Sequence, residues 1–512
     1  MGDLTGPAGR PPIRWAGNGE PVARADVALV PAAELAALCA SACADGCRLV
    51  ALAALSEDVD GTGDGALLAV LADDQRSRLG LVRAALGGAR AYPALSATLP
   101  QAQAFERELF EQTGIRPEGH PWLKPLRVHA ELEPAERPGP APAPHPFFCV
   151  DGPSVHEVAV GPVHAGIIEP GHFRFQCSGE EVLHLEIQLG YQHRGAEALL
   201  LGAAPGRRPA IVESIAGDTV IGHALAHCEI CEGLAGVEVP LAAQSIRGIA
   251  LELERIANHV GDLGALCGDV GFLPGAAWFG RLRGEFLNLL MEISGNRFGR
   301  GLVAPGGVCQ EIPAPMRGAV STRLDAAERD LRKIADLAFA TTSVAARFEH
   351  TGTVSRELAE TLGLVGPVAR ASRCDRDVRR DHPAGIFRFA HVPVAVTESG
   401  DVMDRALIRS LETRRSIAFV REQLAELADG PIRVELPAFA RDRVVASLVE
   451  GWRGEIAHVA STSGSGRLAT YKVVDPSFHN WFGLAMAMRG NQISDFPLCN
   501  KSFNLSYAGH DL

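Results

Sequence analysis

Residues 131–146 read ELEPAERPGPAPAPHP, six prolines in sixteen residues. Each proline fixes φ and removes a backbone donor, so this stretch can join neither a helix interior nor an inner strand. It reads as a stiff, extended linker. A chain of 512 residues interrupted in this way is expected to build an N-terminal unit over 1–130 and a larger unit over 148–512, with 131–147 between them.

The N-terminal unit reads as α+β. Val27–Val30 is a short strand and Pro31 opens an Ala-rich helix that ends near Gly46. Arg48–Leu55, Ala66–Ala72 and Leu79–Leu86 are strands separated by Gly/Asp turns, and Gln101–Thr113 is a charged helix stopped by Gly114. Past the linker, His172–Cys177 and Val182–Leu189 alternate polar and apolar residues around Ser178-Gly179-Glu180, the pattern of a hairpin. Helices dominate from about residue 212. Ile246, Ile249, Leu253, Ile256, Val260 and Leu263 step by 3, 4, 3, 4, 3, a stripe fit for a helix bundle. Residues 321–348 look similar, as do 404–429, where Ile417, Val420, Leu424 and Leu427 precede the stop Gly430-Pro431. The last forty residues are expected to be rich in loops.

Charge excludes some functions. The net charge is −12, and only four of the 49 basic residues are Lys. Such a chain lacks the basic surface that sequence-independent nucleic-acid binding needs, so no nucleic-acid partner is expected. No run reaches the roughly 18 apolar residues that span a bilayer. MGDLTGPAGRPPIRW has neither the apolar core of a signal peptide nor the Ser or Thr at position 6 that myristoylation requires. The chain is expected to be soluble and cytosolic, able to dock on membrane subunits. Its eleven Cys are scattered and read as free, mostly buried thiols.

Several motifs carry chemistry, each with a plainer reading beside it. Cys228-Glu229-Ile230-Cys231 is a CxxC inside an expected helix, where the two thiols merely share a face. His223, His227 and Cys231 extend that face to three candidate ligands with no obvious fourth, so buried side chains are favoured over zinc. Cys39, Cys43 and Cys47 repeat the spacing on an Ala-rich helix and read as buried thiols. GPVHAGIIEPGH places His164 and Glu169 in a loop that can carry a site or merely be polar. GYQHRG sets His193 and Arg194 just after a strand, as site residues or as a solvated turn. Asp269 is an acid in an apolar stretch, where an unpaired carboxylate is costly, so a functional or ion-paired role is expected. Arg370–Pro383 packs five Arg and three Asp into fourteen residues, either a solvated salt-bridge cluster or an Arg-lined polar path. None of these alone names a reaction.

Their order does. GPVHAGIIEPGHFRF, EIQLGYQHRG, ESIAGDT, LAGVEVP, IRGIALELERIANHVGDLGAL, VARAS and DPSFHNW…MRGNQISDFP together resemble one superfamily, over about residues 155–512. It comprises the quinone-site large subunit of respiratory complex I (NuoD type) and the large subunit of energy-converting [NiFe] hydrogenases of the formate hydrogenlyase type. FERELFEQTGIRPEGHPWLKPLR (Phe105–Arg127) is similar to the signature of the NuoC-type, 30-kilodalton subunit. The resemblance is to a fused NuoC–NuoD-type protein. It implies an α+β fold, with a small docking domain packed on a β-subdomain and a helix bundle.

The resemblance also bears on metal. A nickel–iron centre there needs four thiolates from two CxxC motifs, because soft metals select sulfur. The matching positions are Ala216, Thr219, Ser506 and Gly509. Cys228 and Cys231 fall about three helical turns away, and the sequence stops at Asp511-Leu512 without the extension that many such hydrogenases remove. The expectation is no Ni–Fe, no metal bound by this chain and no hydrogenase activity. In complex I a loop His and a Tyr at a helix start hold the quinone headgroup, and an Asp pairs with the His. Asp269 matches that Asp and His164 a nearby His, but the headgroup His position is Ile168 and the Tyr position is Gly217.

The overall pattern resembles hydrogenase-related complexes that lack both motifs. It implies a cavity in which His164, Asp269, His223 and Asp218 carry the chemistry, lined further by Glu169, His193, Arg194, Thr219 and Arg370. The implied partners are a NuoB-like small subunit holding a [4Fe-4S] cluster, a NuoI-like ferredoxin-type subunit, and NuoH-like and antiporter-like membrane subunits. A quinone is the candidate acceptor, and the place is the cytoplasmic side of a bacterial inner membrane. The expected function is coupling of electron transfer to proton or cation movement, with a non-catalytic scaffold as the alternative. No glycine-rich dinucleotide fingerprint follows a strand, and in this superfamily NADH binds on other subunits.

Overall fold

The computed structural model describes residues 12–55, 65–127, 145–163 and 168–512. The proline-rich segment through residue 144 and the loop residue His164 lie outside the described residues.

Strand-length apolar blocks build the N-terminal part. Its principal elements are β1 (Arg14–Ala16), β2 (Val22–Ala23), β3 (Leu29–Pro31), α1 (Ala32–Ala44), β4 (Arg48–Leu55), β5 (Ala66–Asp73), β6 (Arg78–Ala85) and α2 (Gln103–Thr113). β4, β5 and β6 pair antiparallel in sequence order. β1, antiparallel, and β3, parallel, both pair with β6. Leu49–Leu52 and Leu67–Ala72 are buried at every residue, so the sheet is covered on both faces. α1 supplies part of the cover through Leu35, Leu38, Cys39 and Ala42. Another part comes from the far end of the chain, where Val444, Leu448, Ala457, Val459 and Phe478 join the same core.

The larger part opens with β7 (Val155–Val160), β8 (His172–Ser178) and β9 (Glu181–Gln188), an antiparallel sheet of order β9-β8-β7. The bundle follows as α3 (Val220–Ala235), α4 (Leu241–Asp269), α5 (Leu273–Ser294), α6 (Ala314–Ala340) and α7 (Val402–Glu426). α4 has 29 residues and runs about 43 Å. Its stripe from Ile246 to Leu263 is buried against α5 and α7, as the heptad spacing requires. α4 also buries Arg247, Glu252, Glu254, Arg255, His259 and Asp262, a polar load that must be offset by ion pairs.

The sequence reading did not anticipate the next sheet. β10 (Arg443–Gly451), β11 (Gly454–Thr462) and β12 (Leu468–Val474) form an antiparallel unit of order β12-β11-β10, and β2 from the N-terminal part completes its edge. The last forty residues are also not loop-rich. They hold α8 (Pro476–Ala487), α9 (Phe496–Phe503) and α10 (Tyr507–Asp511). Each start is specified locally: Asp475 accepts from Ser477 N–H ahead of Pro476, Pro497 sits in the first turn of α9, and Ser506 accepts from Gly509 N–H.

The two parts are therefore locked together. Besides the shared core, Arg48 binds Glu455 (Nη1 to Oε1 2.6 Å) and Asp74 (Nε to Oδ2 3.0 Å), and His382 Nε2 lies 2.9 Å from Asp74. Lys472 bridges Glu108 of α2 and Glu197, the latter at 2.8 Å.

Candidate functional site

The site is built on the tip of the β10–β11 hairpin. Gly451 pairs with Gly454, leaving Trp452 and Arg453 as a two-residue connection. Gly454 has φ +130°, and a Cβ there would lie 2.7 Å from Gly366 Cα, so the tip is pressed against neighbouring main chain and held in direction.

Arg453 reaches the start of α3. It makes a bidentate pair with Asp218, Nη1 to Oδ1 at 2.6 Å and Nη2 to Oδ2 at 2.7 Å. Thr219 Oγ1 accepts from Trp452 Nε1 (3.1 Å) and from Arg453 Nη1 (3.2 Å). The guanidinium lies over the Trp452 ring, 3.9 Å from its centroid. Burial pushes the Asp218 carboxyl up, but Arg453 outweighs it and holds it below the usual range. Glu169 accepts from Tyr507 N–H at 3.3 Å. Burial raises its pKa, Arg453 pulls it back and Asp218 adds to the rise.

Two further acids stand on the last turns of α4. Asp262 accepts from Arg409 Nε at 2.7 Å and from Asn504 Nδ2. Asp269 ion-pairs with Lys501 of α9, and its Oδ2 is buried without a partner. The acid expected to pair with a loop histidine is thus met by a lysine. The two headgroup positions present no donors: Ile168 is partly exposed, and a Cβ at Gly217 would meet only open space.

Glu254 sits behind the site, accepting the N–H groups of Ile221 (2.7 Å) and Gly222 (3.1 Å) at the start of α3. Burial pushes it up to about 8 against these two donors. The folded chain holds this proton more tightly than the unfolded one, so stability falls as pH rises from the ordinary carboxylate range to about 8 and levels off above it. Between pH 5 and 8 the wild type should lose stability relative to Glu254→Gln, which paired thermal melts will show.

The four nickel positions do not fit a thiolate-bound metal. Ala216 and Gly509 have no donor, and Thr219 is engaged by Trp452 and Arg453. Ser506 Oγ accepts from Gly509 N–H at 2.8 Å. A Cβ at Gly509 would lie 2.6 Å from the Asp475 carboxyl carbon, so that acid occupies the space a side chain at 509 would need. His223, His227 and Cys231 do share a face of α3, but they stand in file: His223 contacts His458 and Asp475, and His227 contacts Tyr471 and Cys231, so the three do not converge on one point.

The structure brings together Glu169, Asp218, Thr219 and, through Asp475, His223. His193 and Arg194 stand elsewhere. His193 Nδ1 contacts Asp511 O at 2.7 Å, while Arg194 donates to the carbonyls of Ser214, Ile215 and Ala508. They clamp the loop before α3 to the C-terminal turn and so hold the two halves of the site in register. Arg370 belongs to a separate buried network with Glu412 (Nε 2.9 Å) and Glu450 (Nη1 2.7 Å). His259 links the two regions, bonding Glu412 at 2.8 Å while its ring meets the edge of Trp452. The Arg370–Pro383 segment is thus mainly a buried ion-pair network, with Asp377, Arg379 and His382 also inside.

The comparisons with known proteins agree with this architecture. Residues 29–140 match the family model of the respiratory-chain NADH dehydrogenase 30 Kd subunit, and 269–443 match that of the 49 Kd subunit. Formate hydrogenlyase subunit 5 of Escherichia coli is 29% identical over 443 residues, covering 82% of this chain and 77% of that protein. The carbon monoxide-induced hydrogenase of Rhodospirillum rubrum is 31% identical over 353 residues, 69% of this chain and 98% of that protein. The chain belongs to the superfamily of complex I 49-kilodalton subunits and hydrogenase large subunits. An NADH-quinone oxidoreductase subunit of Dehalococcoides mccartyi, 29% identical over 341 residues (66% of this chain, 92% of that protein), stands on the complex I side of it. This superfamily member fuses the 30-kilodalton and 49-kilodalton portions in one α+β chain. Asp218, His223 and Arg453 lie outside the 269–443 match.

Sequence reading missed Arg453, Asp475, His458 and Lys501. The Gly-Trp-Arg-Gly turn and the Asp475-Pro476 helix start were the available signals.

Proposed function

We propose that this chain is the large subunit of a membrane-associated, complex I-like and hydrogenase-related oxidoreductase complex whose cavity works without nickel. In this reading the cluster of Asp218, Arg453 and Glu169, with Asp269 further along α4, lies beside a [4Fe-4S] cluster carried by a small partner subunit. Reduction of an acceptor there, with a quinone as the candidate, drives proton or cation movement through neighbouring membrane subunits. The observation that carries the reading is the state of two thiolate positions: Thr219 is held by Trp452 and by Arg453, itself paired with Asp218, and the Asp475 carboxyl fills the space at Gly509.

This chain's part is electrostatic. Arg453 offers a fixed cation, and Glu169, held up by burial, is suited to carry a proton near it. Asp269, with one free oxygen and a Lys501 partner, is suited to respond when charge arrives. No helix among the described residues is long and apolar enough to cross a membrane; in this reading neighbouring membrane subunits carry the ion path. The filled pocket also favours a second reading, a scaffold that transmits conformation without chemistry.

Purification of the intact complex with metal analysis tests both. The proposal expects iron, no stoichiometric nickel and no dihydrogen evolution. It also expects Asp269→Asn to assemble normally while losing coupled ion movement. Nickel at one per chain, or normal turnover and ion movement in that variant, would overturn it. A small partner lacking its cluster cysteines would establish the scaffold.

A further inference from the structure

One face of α3 carries a file of buried groups that the proposed reaction leaves mostly unused. Asp475 Oδ2 lies 3.1 Å from His223 Nε2, and His223 Nδ1 lies 3.1 Å from His458 Nε2. His458 Nδ1 is 2.9 Å from the Tyr471 hydroxyl, which is 2.7 Å from His227 Nδ1. His227 Nε2 ends the file 3.6 Å from Cys231 Sγ. All six residues are buried. His223, His227 and Cys231 stand at i, i+4 and i+8, so the file climbs about 12 Å along the helix, with His458 and Tyr471 supplied by β11 and β12.

Chemistry fixes the donors. A carboxylate only accepts, so His223 Nε2 donates to Asp475. A neutral His223 then accepts at Nδ1, which makes His458 Nε2 the next donor. His458 Nδ1 accepts from Tyr471 O–H, Tyr471 accepts from His227 Nδ1–H, and His227 Nε2 accepts from the Cys231 thiol. Burial favours this neutral file, holding His227 down at about 4 and His458 well below its usual value, and pushing Cys231 up to about 12.

With one more proton the same five contacts admit an arrangement whose charge sits on His223. With an imidazolium at His223, its Nε2–H still donates to Asp475 and the other four contacts reverse: His223 Nδ1–H donates to His458, His458 Nδ1–H to Tyr471, Tyr471 O–H to His227 Nδ1, and His227 Nε2–H to the Cys231 sulfur. The two arrangements differ by one proton. A proton entering at His227 Nε2 releases the Nδ1 proton to Tyr471. Tyr471 passes its own to His458 Nδ1, and His458 passes its Nε2 proton to His223 Nδ1. Only bonds to hydrogen change, and the added charge ends on His223 beside Asp475.

We propose that this file is a proton wire from the Cys231 end of α3 to the Asp218–Arg453 cluster, loading one proton at a time onto His223. The proposal rests on reading that cluster as the place where charge changes during turnover. The surroundings of each end suit the task. Asp475 faces Arg453 and Asp218 as well as His223, and Glu254 stands at the start of α3. Negative charge arriving there favours the His223 imidazolium. At the far end burial and then Arg208 disfavour a cation on His227, burial disfavours one on His458, and the Cys228 thiol beside Tyr471 is neutral, so a cation is disfavoured midway.

The full-length chain labelled with ¹⁵N-histidine tests this by NMR titration, with rings assigned from single His→Gln variants. No electron donor or acceptor is present, so a failure here is separate from a failure of the cavity reading, which turnover and ion movement decide. At neutral pH, His223 and His458 should carry Nε2–H and His227 Nδ1–H. On acidification His223 should charge, and His458 and His227 should exchange tautomers at the same midpoint. Asp475→Asn should lower that midpoint by at least one pH unit. Tyr471→Phe should leave His458 following His223 while His227 no longer responds. A wild-type His227 that keeps Nδ1–H after His223 charges, or a His227 that still follows in Tyr471→Phe, would overturn the wire. If Tyr471→Phe fails to fold, the wild-type titration alone decides.

Discussion

Arg453→Met costs the chain about 3 kcal/mol at pH 7 and progressively less as pH falls below the ordinary carboxylate range. The guanidinium pairs with Asp218 through two bonds and also faces Asp475 and Asp262. Removing it leaves several acids close together with one cation fewer. Asp218 keeps about a third of its side chain (34%) in solvent, which places the cost at the lower end of the range for broken buried pairs. The sign with pH follows from direction. Arg453 depresses the folded pKa of Asp218, so the stabilisation exists above the unfolded carboxylate value and disappears as pH falls through the folded one. Urea unfolding at several pH values should show the two proteins converging in acid. The double variant with Asp218→Asn should recover part of the loss, because it removes the charge that Arg453 was neutralising.

Arg370→Met should be more damaging, about 3–5 kcal/mol. Arg370 is 0% exposed and serves Glu412 and Glu450 together, with Asp377 3.6 Å away. Burial alone would drive these acids neutral. Arg370 is the main reason that Glu412 stays far below the usual carboxylate range. Without it, Glu412 becomes an acid that prefers its proton, and folding then opposes ionisation. The gap between variant and wild type should widen from pH 5 to pH 8, the reverse of an exposed ion pair lost to acid. Arg370→Lys keeps the charge but not the fork that reaches two carboxylates, and should fall between the two. Denaturant midpoints at both pH values check the order.

Much of the scaffold was legible because its residues speak locally. The 3, 4, 3 stepping of α4, the Gly-capped helix at Gly114 and the hairpin turn at Gly179 each announce a structure within a few residues. β10 and β11 were harder. RVVASLVEG and GEIAHVAST are buried on both faces, so neither shows clean alternation, and only the Gly-flanked Trp452-Arg453 pair hinted at their turn. The closing helices had caps in plain view at Asp475, Pro497 and Ser506, but α8 is buried almost all round and α9 and α10 have only 8 and 5 residues, so none shows a clear helical stripe. The site was legible only in part for a different reason. Asp218 and His223 stand in a motif. Arg453, His458 and Asp475 come from more than two hundred residues away, and no local pattern says which distant arginine will meet which acid. The Arg370 segment shows the same limit. Its composition is that of a solvated surface, and it is buried because Glu412, Glu450 and Glu252 arrive from other elements to neutralise it.

The pairing of β2 with β10 has a consequence for how the molecule is made. Val22 and Val444 are neighbours in one sheet although roughly 420 positions separate them. A ribosome adding about 5–20 residues per second needs roughly 20–80 seconds to bridge that interval. Through all of it the nascent N-terminal sheet has emerged while lacking the apolar cover from Val444, Leu448, Val459 and Phe478. This sheet is therefore made well before the strands that seal it.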